Sequence, residues 1–149
     1  MSARAATAAL VMWVCLPACG EENTLTGSID QLLSLDFEKV EISKDQSVLV
    51  VDYLKSKDGL EEIVARVTLE TEGLKLKNGM SVRGDDFMSR VRLQRATRDN
   101  AQFPQIESGK LDLDEIEFKS GGNVRGEFNA SFVDGKLLLG TFEGKIGGD

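Results

Sequence analysis

The sequence predicts an all-β fold, an antiparallel β-sandwich or partly open β-barrel with at most one short helix. Three observations carry that prediction. Apolar residues recur with period two in short runs, turn residues separate the runs, and stretches with helical spacing are scarce.

The run Ser47-Val-Leu-Val-Val-Asp-Tyr-Leu-Lys-Ser56 is rich in branched and aromatic residues and leads into Lys57-Asp58-Gly59, a hairpin turn signal. Ile63-Val-Ala-Arg-Val-Thr-Leu-Glu70 continues beyond the turn, so residues 47–70 read as a β-hairpin. Leu74 and Leu76 alternate with Lys75 and Lys77 before Asn78-Gly79 turns the chain into Met80 and Val82. Val91 and Leu93 alternate with Arg90 and Arg92. In Leu111, Leu113, Ile116 and Phe118 the phase changes at Asp114-Glu115, which predicts a β-bulge. The one helical signal is Ser28-Ile-Asp-Gln31, a capping-box pattern ahead of Leu32-Leu33.

The last 26 residues are the best specified. Val124, Gly126, Phe128, Ala130 and Phe132 share one face of a strand, and Leu138, Gly140, Phe142, Gly144 and Ile146 share one face of the next. A two-residue Asp134-Gly135 turn would set these faces at opposite parity, because a one-residue slip inverts a strand. The loop is therefore expected to carry one more residue or a bulge. The expected pairs are Phe132 with Leu138, Ala130 with Gly140, Phe128 with Phe142, Gly126 with Gly144 and Val124 with Ile146, with rings covering bare glycine backbone.

The N-terminus has the order of an export signal: Arg4, an uncharged and mostly apolar run from Ala5 to Leu16, then small residues. The run is too short for a membrane-spanning helix, which needs about 20 apolar residues. Leu16-Pro17-Ala18-Cys19 resembles the lipobox of bacterial lipoproteins, with Pro17 where a small residue or Val is usual. The resemblance implies acylation of Cys19 and cleavage before it. Gly20, rather than Asp, then implies the outer membrane. Ordinary cleavage after Ala18-Cys19-Gly20, giving a soluble periplasmic or secreted protein, is the alternative. The C-terminal hairpin also resembles, more loosely, the ends of small uncharacterised bacterial lipoproteins, which implies no function. The expected organisation is a signal peptide at 1–18, a lipidated Cys with a short tether at 19–24, and a single β-rich domain at 25–149.

Composition narrows the chemistry. The cysteines are Cys15 and Cys19 and there is no histidine, so a mature domain starting at Cys19 has no internal disulfide and no Ser-His or Cys-His nucleophile. Zinc sites of the usual kinds are excluded with them, and no phosphate-binding glycine loop is present. No metal and no cofactor is expected. Removal of residues 1–18 takes away Arg4 and no acid, leaving 17 basic against 25 acidic residues, a net charge of −8. Such a balance disfavours nucleic acid. Asp85-Asp86 and Asp112-Leu-Asp-Glu-Ile-Glu117 lack the spacing of a calcium loop and read as solvated faces.

One local bias stands out. Arg83, Arg90, Arg92, Arg95 and Arg98 are five of the seven arginines beyond the leader, with no lysine among them. The planar guanidinium suits carboxylate or phosphate, so Arg90, Arg92, Arg95 and Arg98 form the candidate anion-binding set. Against this stands a plainer reading, in which Arg90 and Arg92 are the wet face of a strand beside Asp112 and Asp114. The expected function is a membrane-anchored envelope lipoprotein with a non-enzymatic binding or structural domain. Its expected partners are the membrane, through the lipid, and an anionic envelope component. The alternative is a carboxylate-dependent hydrolase acting on an envelope polysaccharide.

Overall fold

The computed structural model describes residues 22–147, so the leader with Cys15 and Cys19 lies outside the described part. Among the described residues, nine strands form two antiparallel sheets packed as a sandwich. They are β1 (Thr24–Thr26), β2 (Lys39–Asp45), β3 (Val48–Lys57), β4 (Leu60–Glu70), β5 (Met80–Arg83), β6 (Val91–Ala96), β7 (Ile106–Ile116), β8 (Asn123–Phe132) and β9 (Leu137–Lys145). One sheet runs β1-β9-β8-β7-β5 and the other β2-β3-β4-β6. At one corner Ile42 bridges Ile146 and the Gly147 N–H donates to the Ile42 carbonyl, while the sheets stay separate rather than closing into a barrel.

The expected hairpin at 47–70 forms as β3 and β4. Its two-residue Asp58-Gly59 turn has positive φ at both residues, 51° and 76°, the mirror-image turn whose twist matches paired strands. The bulge at Asp114 is present: the β7–β8 pairing shifts between Leu113 and Glu115. The helical turn at Ser28–Gln31 is also present, as 3₁₀ rather than α, and it is not a capping box. Gly27 is the cap, and the Ser28 hydroxyl accepts the Leu137 N–H of β9 at 2.9 Å.

Other expectations are corrected. Leu74 and Leu76 lie in no strand; they pack half-buried against the core, and β5 pairs with β7 rather than with the segment before Asn78-Gly79. Arg90 is the last residue of a six-residue helix, α1 (Asp85–Arg90), whose Phe87 is fully buried. Asp85 and Asp86 in its first turn and Arg90 in its last complement the helix dipole. A single apolar anchor is too little to register as helical periodicity.

The C-terminal hairpin keeps its predicted faces but not its pairs. The loop does carry one residue more than a two-residue turn, and that residue is Val133. The Phe132 N–H donates to the Lys136 carbonyl at 3.0 Å around a Val133-Asp134-Gly135 loop, with Gly135 at φ 79°. The register is thereby two residues away from the expected one. Phe128 faces Gly140, Gly126 faces Phe142, Ala130 faces Leu138 and Val124 faces Gly144. Each ring lies over the bare backbone directly opposite. Opposed rings and opposed glycines would leave clashes beside voids in an interior packed as tightly as an organic crystal.

Tyr53 ties the sheets together. It sits on β3 with no exposed surface, edge-on to Phe37 and Phe128 at ring separations of 5.0 and 6.2 Å. Its hydroxyl crosses the core to donate to the Thr141 carbonyl of β9 at 2.7 Å. Burial pushes the phenol well above its ordinary value near 10. Because the protonated form is the one favoured in the fold, this contribution to stability is complete below about pH 10 and is lost as pH rises above it. Tyr53→Phe should lower stability by about 1 kcal/mol at neutral pH. It should also flatten the alkaline loss, as read from urea midpoints of both proteins at about pH 8 and about pH 11. Parallel declines in the two proteins would show that Tyr53 is not the titrating group.

Candidate functional site

The inward face of β6 carries the least expected residue of the core. Val91 and Leu93 point inward, and Arg95 follows in the same phase, 6% exposed. The backbone accommodates it through a bulge. The β4–β6 pairing shifts between Ile63 and Arg66, so that Val64 and Ala65 lie opposite Arg95 alone. Arg95 Nη1 donates to the Val64 carbonyl at 3.1 Å and to the Ser34 carbonyl at 2.9 Å, clamping the chain after the 3₁₀ turn onto β4. The remaining polar atoms are poorly matched. Among the described residues the sole carboxylate within ion-pair range is Asp99, at 4.0 Å, and Arg95 Nε is buried with no hydrogen-bond partner. A buried donor left unpaired costs about 1–3 kcal/mol, and more when the group is charged.

Arg95 lines a half-enclosed cleft of about 280 Å³ between the Ser34–Asp36 segment, the end of the β3–β4 hairpin and residues 97–99. Lys55, Lys57 and Arg98 line it as well, giving four cations against the carboxylates of Asp36, Glu62 and Asp99. Arg98 is already engaged: its Nη1 donates to Asp58 at 2.6 Å, its Nη2 to the Lys57 carbonyl at 3.0 Å, and its backbone N–H to Glu62 at 3.0 Å. These bonds staple the 97–99 segment across the hairpin end. Lys55 meets Asp36 at a loose 3.6 Å, and the Asp36 side chain is 81% exposed. Lys57 makes no ion pair with a described residue. The Asp99 carboxyl is held below its usual range by hydrogen bonds from Thr97 and the Ala101 N–H, with the charges of Arg95 and Lys57 adding to them.

The candidate arginines therefore divide. Arg95 and Arg98 share the cleft. Arg90 donates to the Glu72 carbonyl at 2.7 Å and sits 3.7 Å from Asp86, while Arg92 meets Glu70 at 3.3 Å, both outside the cleft. The acidic neighbour of Arg92 is on β4, not on the strand bearing Asp112 and Asp114, because β6 and β7 belong to different sheets. The forked arginine–carboxylate contact lies elsewhere. Arg66 Nε and Nη2 donate to the two oxygens of Asp52, each at 2.6 Å, directly across β3 and β4. Cys19 lies outside the described residues.

Compared with protein-family models, with curated proteins and with solved structures, the chain matches none. The site must be read from its own residues. Lys55 and Lys57 were not candidates in the sequence, since they look like ordinary polar residues at a strand end. A signal for Arg95 was readable: it stands in phase with Val91 and Leu93 at a position that should be apolar.

Asp99 is held low, and so is Asp112, where burial pushes the carboxyl up but hydrogen bonds from Lys110 and Ser81 outweigh it. A general acid needs the opposite direction. No group of three or more His, Cys, Asp or Glu side chains converges among the described residues.

Proposed function

We propose that this is an exported, lipid-anchored envelope protein whose β-sandwich acts by binding or by structure rather than by catalysis. The observation that carries the reading is the leader, in which Leu16-Pro17-Ala18-Cys19 ends an apolar run and supplies a thiol. The start of the described chain fits such an anchor. The Glu22 carbonyl accepts the Thr141 hydroxyl at 3.1 Å, and β1 adds to the edge of the larger sheet with Thr24 opposite Thr141. Two residues, Gly20 and Glu21, lie between Cys19 and Glu22, and the three steps reach at most roughly 11 Å. A lipid on Cys19 would hold the β1–β9 edge close to the bilayer surface. More than one acyl chain makes such attachment stable.

Mass spectrometry of the protein recovered from membranes should find Cys19 as the first residue, carrying acyl mass. Cys19→Ser should remove the acyl adduct and block processing before residue 19, while Cys15→Ser should change neither. Recovery of the wild-type protein from the soluble fraction with an unmodified N-terminus would overturn the proposal.

A further inference from the structure

We propose that the cleft at Arg95 is a binding site for a phosphate-type oxyanion. This goes beyond the anchoring proposal and does not rest on it, because the cleft is built from residues of the sandwich alone. A guanidinium taken out of water is stable only if its charge is matched and its donors are used. Arg95 has two neutral carbonyls on Nη1, a distant Asp99, and an unpartnered Nε. Its position is set from both sides by the Ser34 and Val64 carbonyls, so the charge is held in place before any ligand arrives.

The rim supplies mobile charge. Lys57 has no ion-pair partner among the described residues, and Lys55 is loosely paired with an exposed Asp36. Arg98 is tied to Asp58, so it contributes field rather than a free fork. A fixed guanidinium with two adaptable ammonium groups suits a compact anion with several acceptor oxygens, the chemistry of a phosphate group. The three carboxylates of the cleft are outnumbered by its four cations, and Asp36 stands largely in solvent. Glu62 is taken up by the Arg98 N–H, and Asp99 by Thr97 and Ala101. A free phosphate compound and a lipid headgroup share this chemistry, and the experiment separates them.

The test is a titration of the full chain, in mild detergent, with inorganic phosphate at ionic strength held constant with chloride. It is followed by the melting temperature and by the arginine Nε–H resonances. A ligand that binds the folded state alone raises the melting temperature with a saturable dependence. We expect saturation with a dissociation constant on the order of 1 mM and a displaced Arg95 Nε–H signal. Lys57→Gln, an exposed change, should weaken binding about fivefold. Arg95→Lys should abolish it, and Arg92→Gln, outside the cleft, should leave it unchanged. Competition by mixed micelles containing phosphatidylglycerol would identify a lipid headgroup; phosphate binding without that competition would identify a soluble phosphate compound. No saturable effect beyond matched chloride would overturn the proposal, as would equal losses in Lys57→Gln and Arg92→Gln. Should Arg95→Lys fail to fold, the Lys57→Gln and Arg92→Gln pair still decides.

Discussion

Phe128→Ala is expected to destabilise the protein by about 3–5 kcal/mol, the range for removing a large aromatic ring from a packed core. Phe128 is 3% exposed and lies between Gly140 on the neighbouring strand and Tyr53 from the opposite sheet. Its removal exposes two things at once: the bare backbone of Gly140, and the ring of Tyr53, whose hydroxyl joins the sheets. Phe142→Ala should cost a similar amount, since that ring is 1% exposed and covers Gly126 in the same way. Ser131→Ala, on the outer face of β8, should change stability by no more than about 0.5 kcal/mol. Denaturant midpoints of the four proteins check this. Similar small shifts in all three variants would mean that the faces of β8 and β9 are misassigned.

Gly140→Ala should be costly for the opposite reason. A Cβ at this position would run into the Phe128 ring and come within 2.9 Å of the Tyr53 hydroxyl oxygen. Neither neighbour can yield easily, because both are packed from several sides. Adding one methyl group to a filled core costs about 1–3 kcal/mol, and the upper end is expected here. The variant also discriminates between registers. With Phe128 opposite Phe142, Gly140 would face Ala130, and an added methyl would find room. Combining Gly140→Ala with Phe128→Leu should cost less than the two changes separately, because the smaller side chain vacates the space the methyl needs. Coupling between touching residues is commonly about 0.5–3 kcal/mol. Strict additivity in that cycle would contradict the Phe128–Gly140 pairing.

The candidate site was only partly legible before the structure. Alternation places Arg95 with Val91 and Leu93, and a charge in an apolar phase is a readable anomaly. That the charge would be under-compensated depends on distant partners. Ser34 lies 61 residues from Arg95 in sequence and Val64 lies 31 away, and no local pattern joins them. Lys55 and Lys57 enter the cleft because the β3–β4 hairpin ends there, and Arg98 because Asp58 holds it. The grouping of Arg90, Arg92, Arg95 and Arg98 by composition overlooked that an edge strand presents alternate residues to opposite faces, and that Arg90 belongs to a helix.

Period-two alternation and turn chemistry by themselves determined the all-β class, the β3–β4 hairpin, the bulge at Asp114 and the inward faces of β8 and β9. These properties are local: a side chain's face follows from its parity, and a tight turn from the φ values its residues tolerate. Tertiary structure alone decided which sheet each strand joins, the pairing of β5 with β7, the short α1, and the C-terminal register. A shift of two residues leaves every side chain on the same face, so alternation cannot choose between Phe128 opposite Phe142 and Phe128 opposite Gly140. Volume makes that choice, since each ring occupies the space its partner strand leaves empty and reaches onward to Tyr53 in the other sheet.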